Sequence, residues 1–214
     1  MTTDAGPPRP VTRIQREKQE VILEAALDVF SQFGFRGSTI DQIAEAAGMS
    51  KPNLLYYFKS KEDIHAPLLE RILDIWLDPL REMNDDGDPL AEIRSYIRRK
   101  LEMSRDFPRE SRLFANEMLR GAPGFYEILH TDLKDLVDEK ARLIKGWMAE
   151  GRLAVTDPYH LIFSIWATTQ HYADFDIQVR AVLGPDRGGE GRFDDAARFL
   201  DQLFLSGLSP KKKA

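Results

Sequence analysis

The chain has 214 residues, no cysteine and a net charge of −5, from 30 basic and 35 acidic residues. This length supports a hydrophobic core without staples, and the lack of cysteine excludes disulfides, thiol catalysis and cysteine-bound zinc together. The histidines, His65, His130, His160 and His171, form no His-x-x-x-His or HExxH pair, so a metal site is not expected; no nucleophile, base and orienter stand at a recognisable spacing, so neither a catalytic group nor a cofactor is expected.

Met1 to Pro10 holds three prolines and a glycine but no apolar stretch, unlike a signal peptide. No run of about 18 apolar residues suggests a membrane span, so a cytoplasmic address is expected. The charge is unevenly placed. Residues 1–61 carry 8 basic and 7 acidic side chains, and the remainder carries 22 and 28. In the first part the cations gather near the N-terminus and over Lys51–Lys61, and position matters more than the sum for contact with a polyanion.

Helical spacing of Ile22, Ala26, Val29, Phe30 and Phe33 predicts a first helix from about Arg16 to a stop at Gly34. Thr39 with Gln42 reads as a capping box, opening a short second helix that Gly48 ends. Ser50 can cap a third, with Pro52 in its first turn, running to about Tyr57 or Phe58. Ser60 with Asp63 opens a long fourth helix with Ile64, Leu68, Ile72, Ile75 and Trp76 on its apolar stripe; Pro67 and Pro79 are expected to kink or bend it. Breaks follow at Asp85–Pro89, Phe107-Pro108, Gly121–Gly124 and Asp157-Pro158, and a loop over Gly184–Gly191. One helix is expected from about Pro158 to Val182. The class is all-α with about nine helices: a flexible arm over 1–15, a three-helix helix-turn-helix domain over 16–60, a helical ligand-binding and dimerisation domain over 61–208 and a basic tail over 209–214.

A short helix, a glycine turn and a second capped helix form the grammar of a helix-turn-helix. Gly48 suits a left-handed turn position, and Ala44 and Ala47 let two helices cross closely. The following helix offers Lys51, Asn53, Tyr56 and Tyr57, whose amine, amide and phenol groups can reach phosphates and base edges. The start of the helix at Thr39 could hold a phosphate. Lys61 places a cation where a helix dipole disfavours one, which suggests an external anion. Arg9 and Arg13, read as preceding the first helix, could enter a minor groove; a solvated arm is the plainer alternative. A plain three-helix bundle with a polar surface also fits these spacings.

The run Phe33-Gly34-Phe35-Arg36-Gly37-Ser38-Thr39, with Ile43-Ala44, Ala47-Gly48-Met49-Ser50 and Leu54 to Glu62, resembles the signature of TetR-type repressors. The resemblance covers about Gln19–Glu62. It implies double-stranded DNA with a near-palindromic operator as partner, and a homodimer formed by the last two helices. Leu55 departs from the pattern, which usually has an aromatic there. Ile72–Leu80, Ser104–Phe107-Pro108 with Ser111–Phe114, and Leu161–Phe175 resemble the regulators of pyrimidine utilisation within that family. This implies uracil or thymine as effector, and control of pyrimidine-breakdown genes.

Trp166 and Gln170 lie four residues apart, on one helix face. An indole gives a flat wall for an aromatic ring, and a primary amide matches the adjacent C=O and N–H of a uracil edge. Trp76 could form the opposite wall; Phe114, Asn116, His171 and Tyr172 are further candidates. A tryptophan at helical spacing can equally be core, and a buried glutamine can simply tie down a carbonyl. In the last helix Phe193, Ala196, Ala197, Leu200, Leu203 and Phe204 form a wide apolar stripe, expected to pair with a second copy or to cover its own domain. Three rivals stand beside this reading: a helical enzyme using Glu117, His171 and Asp174, a sensor of an aromatic or lipid-like molecule, and a DNA binder without ligand.

Overall fold

The computed structural model describes residues 12–124 and 126–210. The chain divides into two compact units between Leu68 and Leu69. In order the helices are α1 (Arg13–Gly37), α2 (Ile40–Ala46), α3 (Lys51–Tyr57), α4 (Lys61–Glu82), α5 (Pro89–Asp106), α6 (Pro108–Leu119) and α7 (Tyr126–Ile128). A π-helical turn (Leu129–Leu133) leads into α8 (Lys134–Ala149), then α9 (Pro158–Asp174), α10 (Asp176–Arg187) and α11 (Arg192–Leu208). No strand occurs among the described residues. Taking α7, the π turn and α8 as one rod gives ten helical rods among the described residues, against about nine expected.

Several boundaries differ from expectation for identifiable reasons. α1 begins at Arg13, not Arg16, because Thr12 and Gln15 form a reciprocal capping box. Gly34 breaks α1 (φ 67°) without ending it; one more turn follows, to Gly37. α4 continues as helix through Pro67 and Pro79. The helix expected over 158–182 is two helices, parted at Phe175, whose backbone (φ −116°, ψ 29°) leaves the helical region. α10 in turn runs past a break at Gly184 to Arg187.

In the first unit Ile22, Ala26 and Phe30 of α1, Ile43 and Ala44 of α2, Leu54 of α3 and Ile64 of α4 form the core. Thr39 caps α2 through the box with Gln42, and Ser60 Oγ accepts from the Asp63 amide at the start of α4. Ser50 stands at the N-cap of α3 but makes no side-chain capping bond. Gly48 has φ +64° in the α2–α3 turn, with open space where a Cβ would project. Gly48→Ala therefore carries only the backbone cost of a left-handed residue, about 1 kcal/mol. Thermal denaturation checks this, and an unchanged midpoint would show that the turn relaxes.

In the second unit α5 is the central rod, packed on α9 and α11. Ile93, Ile97 and Leu101 meet Ile162, Ile165 and Leu200 in a core that excludes water. The turn from α4 to α5 is fastened to α8. The Trp147 indole N–H donates to the Asp85 carboxylate, and Arg152 donates to Asp85 (2.9 Å) and to the Gly87 carbonyl (2.7 Å). Lys140 closes the end of α4 by donating to the carbonyls of Arg81 and Met83 at 3.1 and 3.0 Å.

Candidate functional site

The first unit presents α3 with its apolar side inward through Leu54 and its polar side outward. Lys51, Asn53 and Tyr56 are exposed, Tyr56 at 62%, and Tyr57 is half-buried with its ring edge-to-face on Tyr56 at 5.1 Å. Lys51 forms an exposed ion pair with Asp41 of α2 at 2.8 Å. Such a pair contributes at most about 1 kcal/mol, so it is easily exchanged for a phosphate. Lys59 donates to the carbonyls of Leu55 and Tyr56 and thus covers the C-terminal end of α3. Leu55, which replaces the usual aromatic, is half-buried.

Lys61 differs from its sequence reading. Its ammonium donates to the carbonyls of Phe35 and Ser38 at 2.6 and 2.7 Å and lies 4.4 Å from the Phe35 ring centroid. The cation at the start of α4 thus has partners within its own unit, at the end of α1. Arg13 is not ahead of the first helix but its first residue, paired with Glu17 at 2.8 Å. Arg9 and the tail lysines lie outside the described residues. The Thr39 side chain is engaged in the Gln42 capping box.

The second unit contains a small cavity of about 40 Å³ between α4, α5, α6 and α9. Trp76, Phe114, Trp166 and Gln170 line it, so four of the seven expected ligand residues come together. Trp76 is 5% exposed and stacks with Phe114 at 6.4 Å. The Trp166 indole donates to the Tyr96 hydroxyl at 2.5 Å. The buried Trp76 indole N–H has no hydrogen-bond partner among the described residues.

Asn116, His171 and Tyr172 do not line this cavity. Asn116 sits half-buried on α6, two residues past Phe114 and therefore on a different face. His171 and Tyr172 face a groove against α10 and α11, where His171 stacks on Phe175 at 5.0 Å. Glu117 accepts from the Gly124 amide and Arg120, and Asp174 accepts from Ser111 at 2.6 Å, so the residues of the enzyme rival are held by separate partners.

Sequence reasoning missed Lys100 and Tyr96, both cavity-lining and both 2% exposed. Lys100 Nζ lies 5.0 Å from the Trp76 ring centroid and 3.5 Å from the Trp76 carbonyl. Burial pushes its ammonium down to about 7, opposed by the charge of Asp174. Burial also pushes the Tyr96 phenol up, against the hydrogen bond from Trp166. A signal existed: Ile93, Tyr96, Ile97, Lys100, Leu101 and Ser104 follow helical spacing, which places a lysine on a buried stripe.

The last helix splits its apolar stripe. Phe193, Ala196 and Leu200 are buried within their own unit, whereas Leu203 and the neighbouring Phe199 are exposed at 52% and 59%. α10 contributes no buried residue at all, and its Val182 is 80% exposed. Among the described residues no helix is long and apolar enough to cross a membrane.

Residues 22–66 match the family described as bacterial regulatory proteins, tetR family, and residues 69–211 match the YcdC-like protein, C-terminal region. The chain is 53% identical over 200 residues to the HTH-type transcriptional regulator RutR of Escherichia coli (strain K12), with 94% of each chain covered. RutR of Shigella flexneri is similar to the same degree. Among solved structures, the ketosteroid transcriptional regulator KstR2 of Mycobacterium tuberculosis matches with a TM-score of 0.72 at 20% identity, over 96% of this chain and 98% of that one. AibR in complex with isovaleryl coenzyme A and operator DNA matches with a TM-score of 0.70 at 19% identity, over 87% and 97%. At such identities the two structures speak for the fold alone. The full-length likeness to RutR and the two family segments carry the conclusion: the chain belongs to the TetR family of bacterial regulatory proteins and is a DNA-binding, helix-turn-helix transcriptional regulator.

Proposed function

We propose that the chain is a cytoplasmic, dimeric repressor of pyrimidine-metabolism genes that leaves a near-palindromic operator when uracil or thymine enters the cavity of Trp76, Trp166 and Gln170. The carrying observation is the convergence of two indoles and a carboxamide on one small cavity, in a chain that resembles pyrimidine-utilisation regulators along most of its length. At about 40 Å³ the cavity is smaller than a single ring, an acyl chain or a steroid, so its lining must open to admit any of them, least for the single ring and much further for an acyl chain or a steroid. In this reading α3 enters the major groove and presents Lys51, Asn53, Tyr56 and Tyr57. α10 and α11 meet their copies through Val182, Phe199 and Leu203, which sets the two readers about 34–36 Å apart.

Release follows by linkage. The effector must bind more tightly to a conformation whose readers are wrongly spaced. α4 is the proposed lever, because its range contributes residues to both units. Thermal denaturation with uracil, thymine and a fatty-acyl panel tests the ligand, since a molecule that binds the folded state raises its midpoint. Stabilisation by the pyrimidines with no response to the acyl panel is expected; the reverse pattern would refute the pyrimidine assignment.

The DNA side has its own test. Lys51→Ala is expected to weaken operator binding and to reduce the slope of log affinity against log salt by about 0.9, one phosphate contact's share. Titrations at several salt concentrations measure this. An unchanged slope would remove Lys51 from the interface.

A further inference from the structure

The effector cavity is rich in hydrogen-bond donors. The Trp76 indole N–H is buried without a partner among the described residues. Lys100 is 2% exposed, and besides lying over the Trp76 ring its ammonium makes one long hydrogen bond, 3.5 Å to the Trp76 carbonyl, although it carries three N–H groups. Tyr96 accepts from Trp166 and keeps its own O–H to give. Against these donors stands the Gln170 carbonyl as the one uncommitted side-chain acceptor on the lining; Leu73, Leu77, Phe114 and Leu133 supply the apolar remainder.

A buried donor without an acceptor is costly, and a buried ammonium more so. Packing alone would favour a leucine or methionine at position 100, on the stripe between Ile97 and Leu101. The donors ask for a guest that brings acceptors.

We infer that Lys100, together with the Trp76 indole N–H, is the specificity-determining pair of this cavity, receiving a ring carbonyl oxygen and thereby selecting 2,4-dioxo pyrimidines over 4-amino ones. The inference rests on the reading of this cavity as the effector site. A carbonyl oxygen offers two lone pairs, enough for both donors. An amino group at the same ring position would point N–H groups at an ammonium and an indole N–H, leaving all of them unpaired. Rejection of this kind is steep, because a site built around one hydrogen-bonding group strands its own polar groups when the complement is absent. Gln170 then serves the adjoining edge, where an imide N–H and a second carbonyl need an acceptor and a donor.

The experiment is calorimetric titration of the full-length protein with uracil, thymine, cytosine and 2-pyrimidinone, repeated with Lys100→Met. Wild type is expected to bind uracil and thymine at least about 100-fold more tightly than cytosine or 2-pyrimidinone. Lys100→Met is expected to lose about 10–100-fold in uracil affinity and to bring cytosine to within about tenfold of uracil. Melted without ligand, the variant is expected to be no less stable than wild type, because it replaces a poorly bonded buried cation by an apolar chain. Cytosine binding within about threefold of uracil in wild type would overturn the inference while the effector reading stands. So would a Lys100→Met protein that keeps the wild-type preference. If the variant fails to fold, Trp76→Phe takes its place in the same ligand series: it keeps an aromatic ring and removes the other donor, it is expected to narrow the uracil-over-cytosine preference, and an unchanged preference would overturn the inference. A wild type that binds no pyrimidine overturns the effector reading itself, and this inference with it.

Discussion

Gln170→Leu is expected to leave the chain folded and able to hold its operator, and to abolish release by uracil. Leucine is similar in size to glutamine and at least as good a helix former, and position 170 lies well inside α9, four residues from its end. What changes is chemical. The carboxamide supplies a donor and an acceptor to one edge of the ring, and the leucine supplies neither. Each polar group of the ligand left unmatched in a dry cavity costs about 1–3 kcal/mol. Two such groups correspond to a loss of about 100-fold or more in uracil affinity. Release of labelled operator against uracil concentration measures the response. Tryptophan fluorescence measures occupancy, since Trp76 and Trp166 line the cavity and all three tryptophans lie beyond residue 68. Release by the variant at the wild-type uracil concentration would take Gln170 out of the site.

The helix starts at Thr39, Asp88-Pro89 and Asp157-Pro158 were legible in the sequence because each is written in local chemistry, a side-chain oxygen accepting from an amide two or three residues on. The division at Phe175 was not legible. No glycine or proline marks it, and the chain turns there only through the backbone of a residue with no turn preference. Gln170, His171 and Tyr172 are neighbours in sequence, but successive helical residues point about 100° apart. Gln170 therefore reaches the cavity while His171 and Tyr172 face α10 and α11. The same geometry separates Phe114 from Asn116. Lys100 escaped notice because a charged residue is ordinarily assigned to solvent, and its place on the buried stripe depends on which face of α5 meets α4 and α9. The apolar stripe of α11 was read as one face, yet its members divide between the unit's own core and solvent.

Lys61 gives the sharpest contrast between a surface cation and a structural one. Its ammonium makes two charge-assisted hydrogen bonds, 2.6 Å to the Phe35 carbonyl and 2.7 Å to that of Ser38, and sits over the Phe35 ring. These contacts fasten the last turn of α1 and the entry to α2 against the start of α4. Hydrogen bonds to a charged group contribute about 1.5–3 kcal/mol, and a partly exposed cation–π contact adds about 0.5–1 kcal/mol. Lys61→Met keeps the length of the chain and removes the charge. Because Lys61 is only half-buried, a loss of about 2–4 kcal/mol in the stability of the first unit is expected once water's share is allowed for. Hydrogen exchange at the amides of α1 to α3 reads that loss directly, where tryptophan fluorescence would not, since all three tryptophans lie beyond residue 68. The salt slope of operator binding is expected to stay within about 0.3 of wild type, in contrast with the drop near 0.9 for Lys51→Ala. A variant that exchanges as slowly as wild type but loses about one from the slope would return Lys61 to the DNA, and would mean that its ammonium leaves both carbonyls when the operator arrives.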